Sequence, residues 1–311
     1  MRAYIFPGQG SQSVGMGKAL AEASPTARAV FEEVDDALGQ SLARMMAEGP
    51  IEELTLTENA QPAIMANAVA TLRVLEREAG LRLQDKADFV AGHSLGEYSA
   101  LCAAEALDLR TTARLLKLRG RAMQAAVPVG EGAMAALLGL GLEGARAVAV
   151  EAAQGEVCAV ANDNDPNQVV VSGHKGAVER ALEIAKARGA KRALLLPVSA
   201  PFHSPLMEPA AQAMEQALGD AEIRPLVVPL YANVTAAAVE DPAEIRRLLV
   251  EQVTGMVRWR ESIAAMAEAG VTHFVEFGGK VLGPMVKRIA PDARTTSVIS
   301  LHDVEALVKE I

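Results

Sequence analysis

The chain has 311 residues, of which half are apolar, and it carries 30 Lys and Arg against 39 Asp and Glu, for a formal net charge of −9. A chain of this length and apolar content can bury a substantial core and divide into one large domain and a smaller one. The acidic charge and the low aromatic content, 3% of residues, argue against a nucleic-acid surface, which needs clustered positive charge and exposed stacking rings.

The N-terminus and the cysteines argue against several other classes. The first residues, MRAYIFPGQG, contain no apolar run of about 7 to 15 residues before a small-residue cleavage site, so we expect no secretory signal and a cytoplasmic protein. The sequence contains no uninterrupted apolar run of about 18 residues, the length needed to span a bilayer, so we expect no membrane association. Cys102 and Cys158 lack metal-binding or redox spacing, and we interpret both as small buried residues. We expect neither a metal site nor a cofactor.

Strand and helix patterns alternate at the start of the chain. An apolar run at 3–6 predicts a strand that ends at a glycine-rich loop, and a helical repeat at 60–79 predicts a long amphipathic helix. A second strand at 89–91 leads through a tight turn into a helix at 95–107, and a further helix follows at 111–126.

The pattern changes after Pro128 and Gly130. From there to Pro197 the predicted order is β-α-β-β-α-β, which is the signature of a ferredoxin-like unit. The predicted strands lie at 133–138, 157–161, 168–172 and 192–196, and the predicted helices at 143–154 and 175–188. We therefore assign residues 131–197 to an inserted ferredoxin-like subdomain.

The alternation of strands and helices resumes after the subdomain. The predicted helices lie at 205–218, 242–253, 260–269 and after Gly278 and Gly279, and the predicted strands at 227–231 and 272–277. Residues 1–130 and 198–311 would together form one mostly parallel sheet covered by helices.

The clearest chemical motif is Gly92-His93-Ser94-Leu95-Gly96. It fits a nucleophile elbow, in which a strained turn between a strand and a helix lifts a serine hydroxyl above the sheet. The motif joins a predicted strand to a predicted helix, so we predict an α/β-hydrolase-like core with Ser94 as its nucleophile. The alternative is a serine that only caps a helix between two glycines.

A serine hydroxyl needs a positioned base, and five histidines are available. His203 lies in the proline-stiffened loop SAPFHSP at 199–205, between a predicted strand and a predicted helix, where an active-site base would be held. His93 is adjacent to Ser94 but is expected to point to the other side of the turn and brace it. The other three are interpreted as surface or core residues: His174, His273 and His302.

The first glycine-rich loop, PGQGSQ at 7–12, leaves three interpretations open. A dinucleotide fingerprint is disfavoured, because Ser13 stands where a third glycine-like position is expected. The loop could instead bring Gln9 to the top of the sheet beside the elbow. An ordinary tight turn is the third interpretation.

Five separated motifs make the chain resemble the malonyl-CoA:acyl carrier protein transacylases of fatty-acid synthesis and their relatives, the acyltransferase domains of polyketide synthases. The similar segments are PGQGSQ at 7–12, GHSLGEY at 92–98, LRG and MQ within 118–124, FHS at 202–204, and EQV and VRW within 251–259. The resemblance covers essentially the whole chain. The stretch FGGKVLGP at 277–284 departs from the family's pattern, with Pro284 at the start of a predicted helix.

The resemblance implies a role for each matching residue. Ser94 would carry the malonyl group, and His203 would take the serine proton and return it to the leaving thiol. The backbone carbonyl of Gln252 would orient His203 in place of an acid. The backbone amides of Gln9 and Leu95 would form the oxyanion hole.

Arg119 would bind the free carboxylate of the malonyl group. The planar arginine fork can bind a carboxylate through two parallel charge-assisted hydrogen bonds, which would distinguish a malonyl from an acetyl thioester. The alternative is a solvated helix residue. Met123, one turn beyond, would wall the same pocket. Phe202 resembles the bulky residue that would crowd an α-methyl branch in malonyl-selective members, and its alternative role is core packing.

The resemblance implies malonyl-CoA as substrate and an acyl carrier protein as partner, and we expect a monomer. Carrier proteins are acidic, so a local basic patch would be needed to dock one, although such charges are often only solvated. The candidates are Lys186, Arg188, Lys191, Arg192, Lys287 and Arg288. A serine thioester hydrolase and a silent partner-binding scaffold are alternatives from other classes. Within the family, a polyketide loader and a malonate-decarboxylase loader also remain open.

Overall fold

The structure, a computed structural model, describes residues 1–198 and 200–311. Its strands form a six-stranded sheet and a separate four-stranded sheet. Helices surround the larger sheet and pack against one another and against both sheets. The predicted mixed α/β architecture with a mostly parallel central sheet is therefore confirmed.

The central sheet has the strand order β10-β9-β1-β2-β7-β8. All neighbouring strands in it run parallel except β7 and β8, which pair antiparallel at one edge. The strands are β1 (Arg2–Phe6), β2 (Phe89–Gly92), β7 (Leu230–Ala232), β8 (Ala237–Val239), β9 (His273–Phe277) and β10 (Arg294–Val298). Because parallel strands end at the same edge, the loops that follow β1, β2 and β7 lie side by side.

Fifteen α-helices are described outside the strands. They are α1 (Lys18–Ala23), α2 (Pro25–Leu38), α3 (Leu42–Glu48), α4 (Ile51–Thr55), α5 (Thr57–Glu78), α6 (Leu83–Lys86), α7 (Gly96–Ala103), α8 (Leu109–Ala125), α9 (Gly141–Ala153), α10 (Lys175–Ala187), α11 (Glu208–Asp220), α12 (Pro242–Thr254), α13 (Trp259–Glu268), α14 (Gly283–Ile289) and α15 (Leu301–Val308).

The long helix α5 differs from the predicted amphipathic helix. Nearly all of its residues from Thr57 to Leu75 are buried, including the polar side chains of Asn59, Gln61 and Asn67. The cause is tertiary, because α2, α7 and α8 pack around α5 and cover the side that an isolated amphipathic helix would expose to water.

The four-stranded sheet belongs to the segment between α8 and the loop that contains His203. Its strands are β3 (Gly132–Leu138), β4 (Cys158–Asp165), β5 (Gln168–His174) and β6 (Arg192–Leu195), in the order β4-β5-β3-β6 with every neighbouring pair antiparallel. Helix α9 follows β3 and helix α10 follows β5, so the chain order is β-α-β-β-α-β. The element order predicted from the sequence is the one observed.

The end of β4 joins the small sheet to the large one. Asp163 and Asp165, whose side chains are fully buried, pair with Arg260 and Arg288 of the core at 2.8 Å each. The β4 backbone also exchanges hydrogen bonds with Val257, at 2.9 and 3.0 Å. These contacts hold the small sheet against α13, α14 and the residues just before α13.

Several predicted boundaries were wrong. The helix predicted at 95–107 ends at Ala103, because Glu105 has a φ of 65° and the Ala106 amide bonds back to the Leu101 carbonyl at 2.9 Å. The strand predicted at 227–231 is shortened to Leu230–Ala232, and the helix predicted from 205 opens with a 3₁₀ turn, Pro205–Met207. Cys158 is partly exposed, whereas Cys102 is buried as predicted.

Candidate active site

The turn between β2 and α7 places Ser94 in a strained backbone conformation. Its φ is 54°, a left-handed value that a non-glycine residue adopts only when the surrounding structure enforces it. A Cβ on Gly92 would lie 1.9 Å from the Gly96 backbone, and a Cβ on Gly96 would lie 2.3 Å from the Phe6 carbonyl oxygen. Both glycines are therefore required for the helix to start this close to the strand ends.

Ser94 and His203 lie within hydrogen-bond distance although 109 residues separate them. The Ser94 Oγ to His203 Nε2 distance is 2.8 Å. On the other side of the ring, His203 Nδ1 lies 2.9 Å from the Gln252 carbonyl oxygen and 3.1 Å from that of Gly255. Because a carbonyl oxygen only accepts, Nδ1 carries the ring proton and Nε2 is left to accept from the serine hydroxyl. Ser199, in the same loop as His203, lies outside the described residues.

The His203 imidazole is held in its neutral form. Burial first and the positive charge of Arg119 second lower its pKa to about 3, and only the carbonyls of Gln252 and Gly255 raise it. At neutral pH the ring is therefore uncharged, with Nε2 free of a proton, which is the state a general base requires.

Arg119, on α8, extends into the same site and is 1% exposed. Its Nη1 donates to Gln61 Oε1 at 2.9 Å, and its Nη2 donates to Gln252 Oε1 at 2.8 Å and to Ser94 Oγ at 3.2 Å. The guanidinium carbon lies 5.7 Å from the centre of the Tyr98 ring. No carboxylate of the described residues forms an ion pair with Arg119.

An arginine remains charged even though burial lowers its pKa, so the site contains a buried cation whose closest acceptors are neutral amides. Burial of an unpaired charge is costly. The arrangement therefore favours an anionic group bound beside Ser94.

A cavity of about 400 Å³ opens beside these residues, lined by the loops that follow β1 and β2, by helices and by strands of the small sheet. Its volume lies within the range of small-molecule sites. Four of the other predicted site residues line it: Gln9, Leu95, Met123 and Phe202. Gln252 does not line it and is buried, with its side-chain amide donating to the Ser94 carbonyl. Met134 and Asn162 of the small sheet also line it, so both units contribute to the site.

His93 lies beside the elbow and not in the serine–histidine pair. Its Nε2 is 2.8 Å from Asn164 Oδ1, and its ring lies 5.6 Å from that of Trp259. The first contact ties the turn to the small sheet, and the second packs it against α13 of the core. The remaining histidines lie elsewhere: His174 accepts from the Val157 amide, His273 starts β9, and His302 is exposed.

Three polar residues at the site were not found from the sequence. Gln61 supports Arg119, and Asn233 accepts the Ser94 amide at 2.8 Å while donating to the Gly92 carbonyl at 2.7 Å. Glu97 is buried beneath the elbow, 1% exposed. Gln61 and Asn233 come from distant segments and carry no local pattern, whereas Glu97 stands in the first turn of α7, where a buried acid in an apolar helix was a usable signal.

Pro284 lies in the first turn of α14, where a missing amide proton costs nothing, so the departure at 277–284 causes no conflict. The Glu276 carboxylate accepts from the amides of Val281, Leu282 and Gly283 at the start of the same helix.

The described residues contain no group of three or more His, Cys, Asp or Glu that could hold a metal ion. None of the described helices is both long and apolar enough to cross a membrane.

The predicted basic residues divide into paired and unpaired groups. Lys186 pairs with Glu183, Arg188 with Glu151 and Arg288 with Asp165. Lys287 donates to the Ala293 carbonyl at 2.6 Å. Lys191 and Arg192 are exposed and form no ion pair with any described residue.

The chain is similar to known proteins over most of its length. The family model for acyl transferase domains matches residues 3–279. A malonyl CoA-acyl carrier protein transacylase of Bacillus subtilis is 44% identical over 311 residues, covering 99% of this chain and 96% of that protein.

Among solved structures, an acyl-carrier-protein-S-malonyltransferase from Bartonella henselae is 52% identical with a TM-score of 0.97, covering 99% of this chain and 98% of its own. A malonyl-transacylase solved in complex with its type II polyketide synthase acyl carrier protein is 40% identical with a TM-score of 0.96, covering 100% of this chain and 99% of its own.

Proposed function

The chain belongs to the acyl transferase domain family, and from this we propose that it transfers malonyl groups from malonyl-CoA to the thiol of an acyl carrier protein through an acylated Ser94. The resemblance of the five sequence motifs and the similarity to solved malonyltransferases support malonyl-CoA as the donor and an acyl carrier protein as the acceptor.

One observation carries the choice of a malonyl group: the buried, carboxylate-free guanidinium of Arg119 lies 3.2 Å from the Ser94 hydroxyl. An incoming carboxylate can take the second proton of Nη1 and the proton that Nη2 now gives to Ser94, which forms a two-bonded fork. A site for acetyl groups would have no use for an unpaired buried cation. Met123 and Phe202 line the same cavity and would limit the size of the acyl group.

In the proposed acylation, Ser94 Oγ attacks the thioester carbonyl while its proton passes to His203 Nε2. The backbone amides of Gln9 and Leu95 would stabilise the negative oxygen that develops, aided by the N-terminus of α7. Collapse of the intermediate breaks the carbon–sulfur bond, and the leaving thiolate takes the proton from His203. The thiol of the carrier protein repeats these steps in reverse.

This reaction needs no cofactor, because a thioester is already an activated acyl donor and every proton returns to a sulfur or an oxygen. We propose a monomer acting in the cytoplasm. Gel filtration would test the monomer.

The domain division we propose is an α/β-hydrolase-like core of residues 1–130 and 198–311 with a ferredoxin-like subdomain at 131–197. The elbow at the end of β2 and the parallel sheet support the first part. The antiparallel order β4-β5-β3-β6 supports the second. Independent expression of 131–197 as a folded fragment would test the boundaries, and an unfolded fragment would count against them.

For the carrier protein, we propose docking at β6. This edge strand exposes Leu194 and Leu195, at 43% and 48%, next to the unpaired Lys191 and Arg192. It leads directly into Leu196 and Val198, which line the cavity. An acidic partner with an apolar contact surface fits this combination.

The proposal is tested by comparing acyl groups in Arg119→Ala. We expect kcat/KM for malonyl transfer to fall by about 10²- to 10³-fold, as for loss of a buried charge-assisted bond, while acetyl transfer is kept or gained. Arg114→Ala, an exposed arginine on the same helix, is the control and should change neither rate. An equal loss for both acyl groups would show that Arg119 is structural and would remove the argument for malonyl.

A further inference from the structure

Glu97 is a buried acid that the proposed mechanism does not use. It lies in the first turn of α7, directly after the elbow, and is 1% exposed. Its Oε2 accepts from the side-chain amide of Gln252 at 2.9 Å and from the backbone amide of Asn233 at 3.1 Å. Both partners also contact Ser94.

Gln252 connects Glu97 to both functional side chains. Its backbone carbonyl accepts from His203 Nδ1, and its side-chain oxygen accepts from Arg119 Nη2. Arginine can only donate and an ionised carboxylate can only accept, so the Gln252 amide has one orientation that satisfies both. Ionised Glu97 and the Ser94 carbonyl oxygen, which both accept from the Gln252 amide nitrogen at 2.9 Å, therefore direct the oxygen of Gln252 towards Arg119.

Charge balance gives Glu97 a second role. When His203 takes the serine proton, a second buried cation forms beside Arg119. Among the described residues, no carboxylate contacts His203, whose Nδ1 meets only carbonyl oxygens. Glu97 is the buried acid whose charge acts on Arg119, and Gln252 links it to the histidine.

We propose that Glu97 is a positioning residue that supplies, through Gln252, the negative charge that the Ser94–His203 pair lacks. The inference rests on the proposed acylation of Ser94 and concerns its rate, not its occurrence.

The ionisation of Glu97 makes this role dependent on pH. Burial raises its pKa to about 7, while the bonds from Gln252 and Asn233 and the charge of Arg119 on α8 act in the opposite direction. Tyr98, on the same helix, is the other titratable group that interacts with it, and burial keeps that phenol protonated. Below about pH 7 the carboxyl is protonated and no longer supplies a negative charge, while Arg119 and the Ser94 carbonyl still hold the orientation of the Gln252 amide.

The experiment measures the rate of Ser94 acylation by rapid quench and mass spectrometry between pH 6 and 8. The acyl donor is malonyl-N-acetylcysteamine, whose carboxylate stays ionised over this range. If only ionised Glu97 is productive, the wild-type rate rises roughly tenfold between these limits. In Glu97→Gln we expect a rate at least about tenfold lower at pH 8 and no rise with pH.

The matched control is Glu276→Gln. Glu276 is equally buried, at 1% exposure, but its carboxylate accepts from the first amides of α14 and does not contact Ser94, His203, Arg119 or Gln252. This variant should keep both the acylation rate and its rise with pH.

Thermal unfolding distinguishes positioning from simple bracing. The folded-state pKa of Glu97 is raised from 4.5 to about 7, so the protein loses stability from this group as pH rises through that interval. Glu97→Gln cannot ionise and avoids this loss, so its Tm at pH 8 should be at least as high as that of wild type. Any difference in Tm should disappear near pH 4.5. If Glu97 only stabilised the fold, the Glu97→Gln variant would lose Tm together with activity.

An acylation rate equal to that of wild type in Glu97→Gln, or a slow rate that still rises through pH 7, would overturn the inference. If the variant does not fold, the wild-type profile decides: a rise near pH 7 supports the inference, and a flat profile overturns it. If the wild type forms no acyl-Ser94 at any pH, the proposed function has failed instead.

Discussion

At the scale of single residues, the site is defined by the hydrogen-bond acceptors that surround a cation. Gln61 and Gln252 each give Arg119 a neutral oxygen, so the guanidinium is oriented without losing its charge. A carboxylate in either position would orient it equally well and neutralise it. We expect this choice of amides over acids to leave the cation available for a substrate carboxylate.

Gln61→Glu tests this directly. The new carboxylate would stand 2.9 Å from Arg119 Nη1 and compete with the malonyl group. We expect kcat/KM for malonyl transfer to fall by about 10- to 100-fold, the value of one hydrogen bond to a charged group, with a smaller effect on acetyl transfer. Steady-state kinetics with both thioesters would measure it, with Gln61→Met as the uncharged control. Equal losses for the two substrates would contradict this explanation.

At the scale of elements, the turn from β2 to α7 depends on backbone contact. Gly92 and Gly96 allow the helix start to touch the ends of β1 and β2, and this contact holds Ser94 at its left-handed φ. The sequence predicted this turn correctly because the requirement is local: a strand, a pattern of glycines and a helix follow one another within a few residues.

Gly96→Ala should abolish acylation, because its Cβ would lie 2.3 Å from the Phe6 carbonyl oxygen and push the helix away from the strand. Gly219→Ala is the matched control, since nothing lies within 4 Å of the added atom and the residue is helical. We expect that control to keep full activity and to gain about 0.5 kcal/mol in free energy of unfolding by urea titration. Retained activity in Gly96→Ala would contradict the close-contact interpretation.

Other elements could not be predicted because their sequence signal is not local. The polar side chains in α5 are buried because other helices pack around it, and no periodicity reveals that. The helices between residues 18 and 55 were not predicted, and neither was the edge strand β10, whose residues are polar except for the buried Val298. In contrast, the β-α-β-β-α-β order was predictable, since each strand there contains a short apolar run and the two helical segments lie between such runs.

At the scale of the whole molecule, the proposed catalysis depends on segments that the fold brings together from four parts of the chain. Ser94, Arg119, His203 and Gln252 meet within hydrogen-bond distance. These four residues were predicted from the sequence because they lie in motifs that resemble those of the acyltransferase family. The connecting residues Gln61, Glu97 and Asn233 could not be, because their roles follow from side-chain directions in the packed core.

The net charge of −9 requires a local attraction if an acidic carrier protein is to bind. The double variant Lys191→Glu with Arg192→Glu should raise KM for the carrier protein by about tenfold at low salt and leave KM for malonyl-CoA unchanged. Lys186→Glu, whose lysine is already paired with Glu183 in the same unit, is the control and should have little effect. An unchanged KM for the carrier protein in the double variant would exclude docking at β6.

The most direct test is to identify the acylated residue. Wild-type protein mixed with malonyl-CoA, without a carrier protein, should gain one malonyl group on the peptide that contains Ser94, and addition of the carrier protein should remove it as malonyl-carrier. Ser94→Ala should gain none. A malonyl group on another residue, its persistence in Ser94→Ala, or release as free malonate at the same rate with and without the carrier protein would contradict acyl transfer through Ser94.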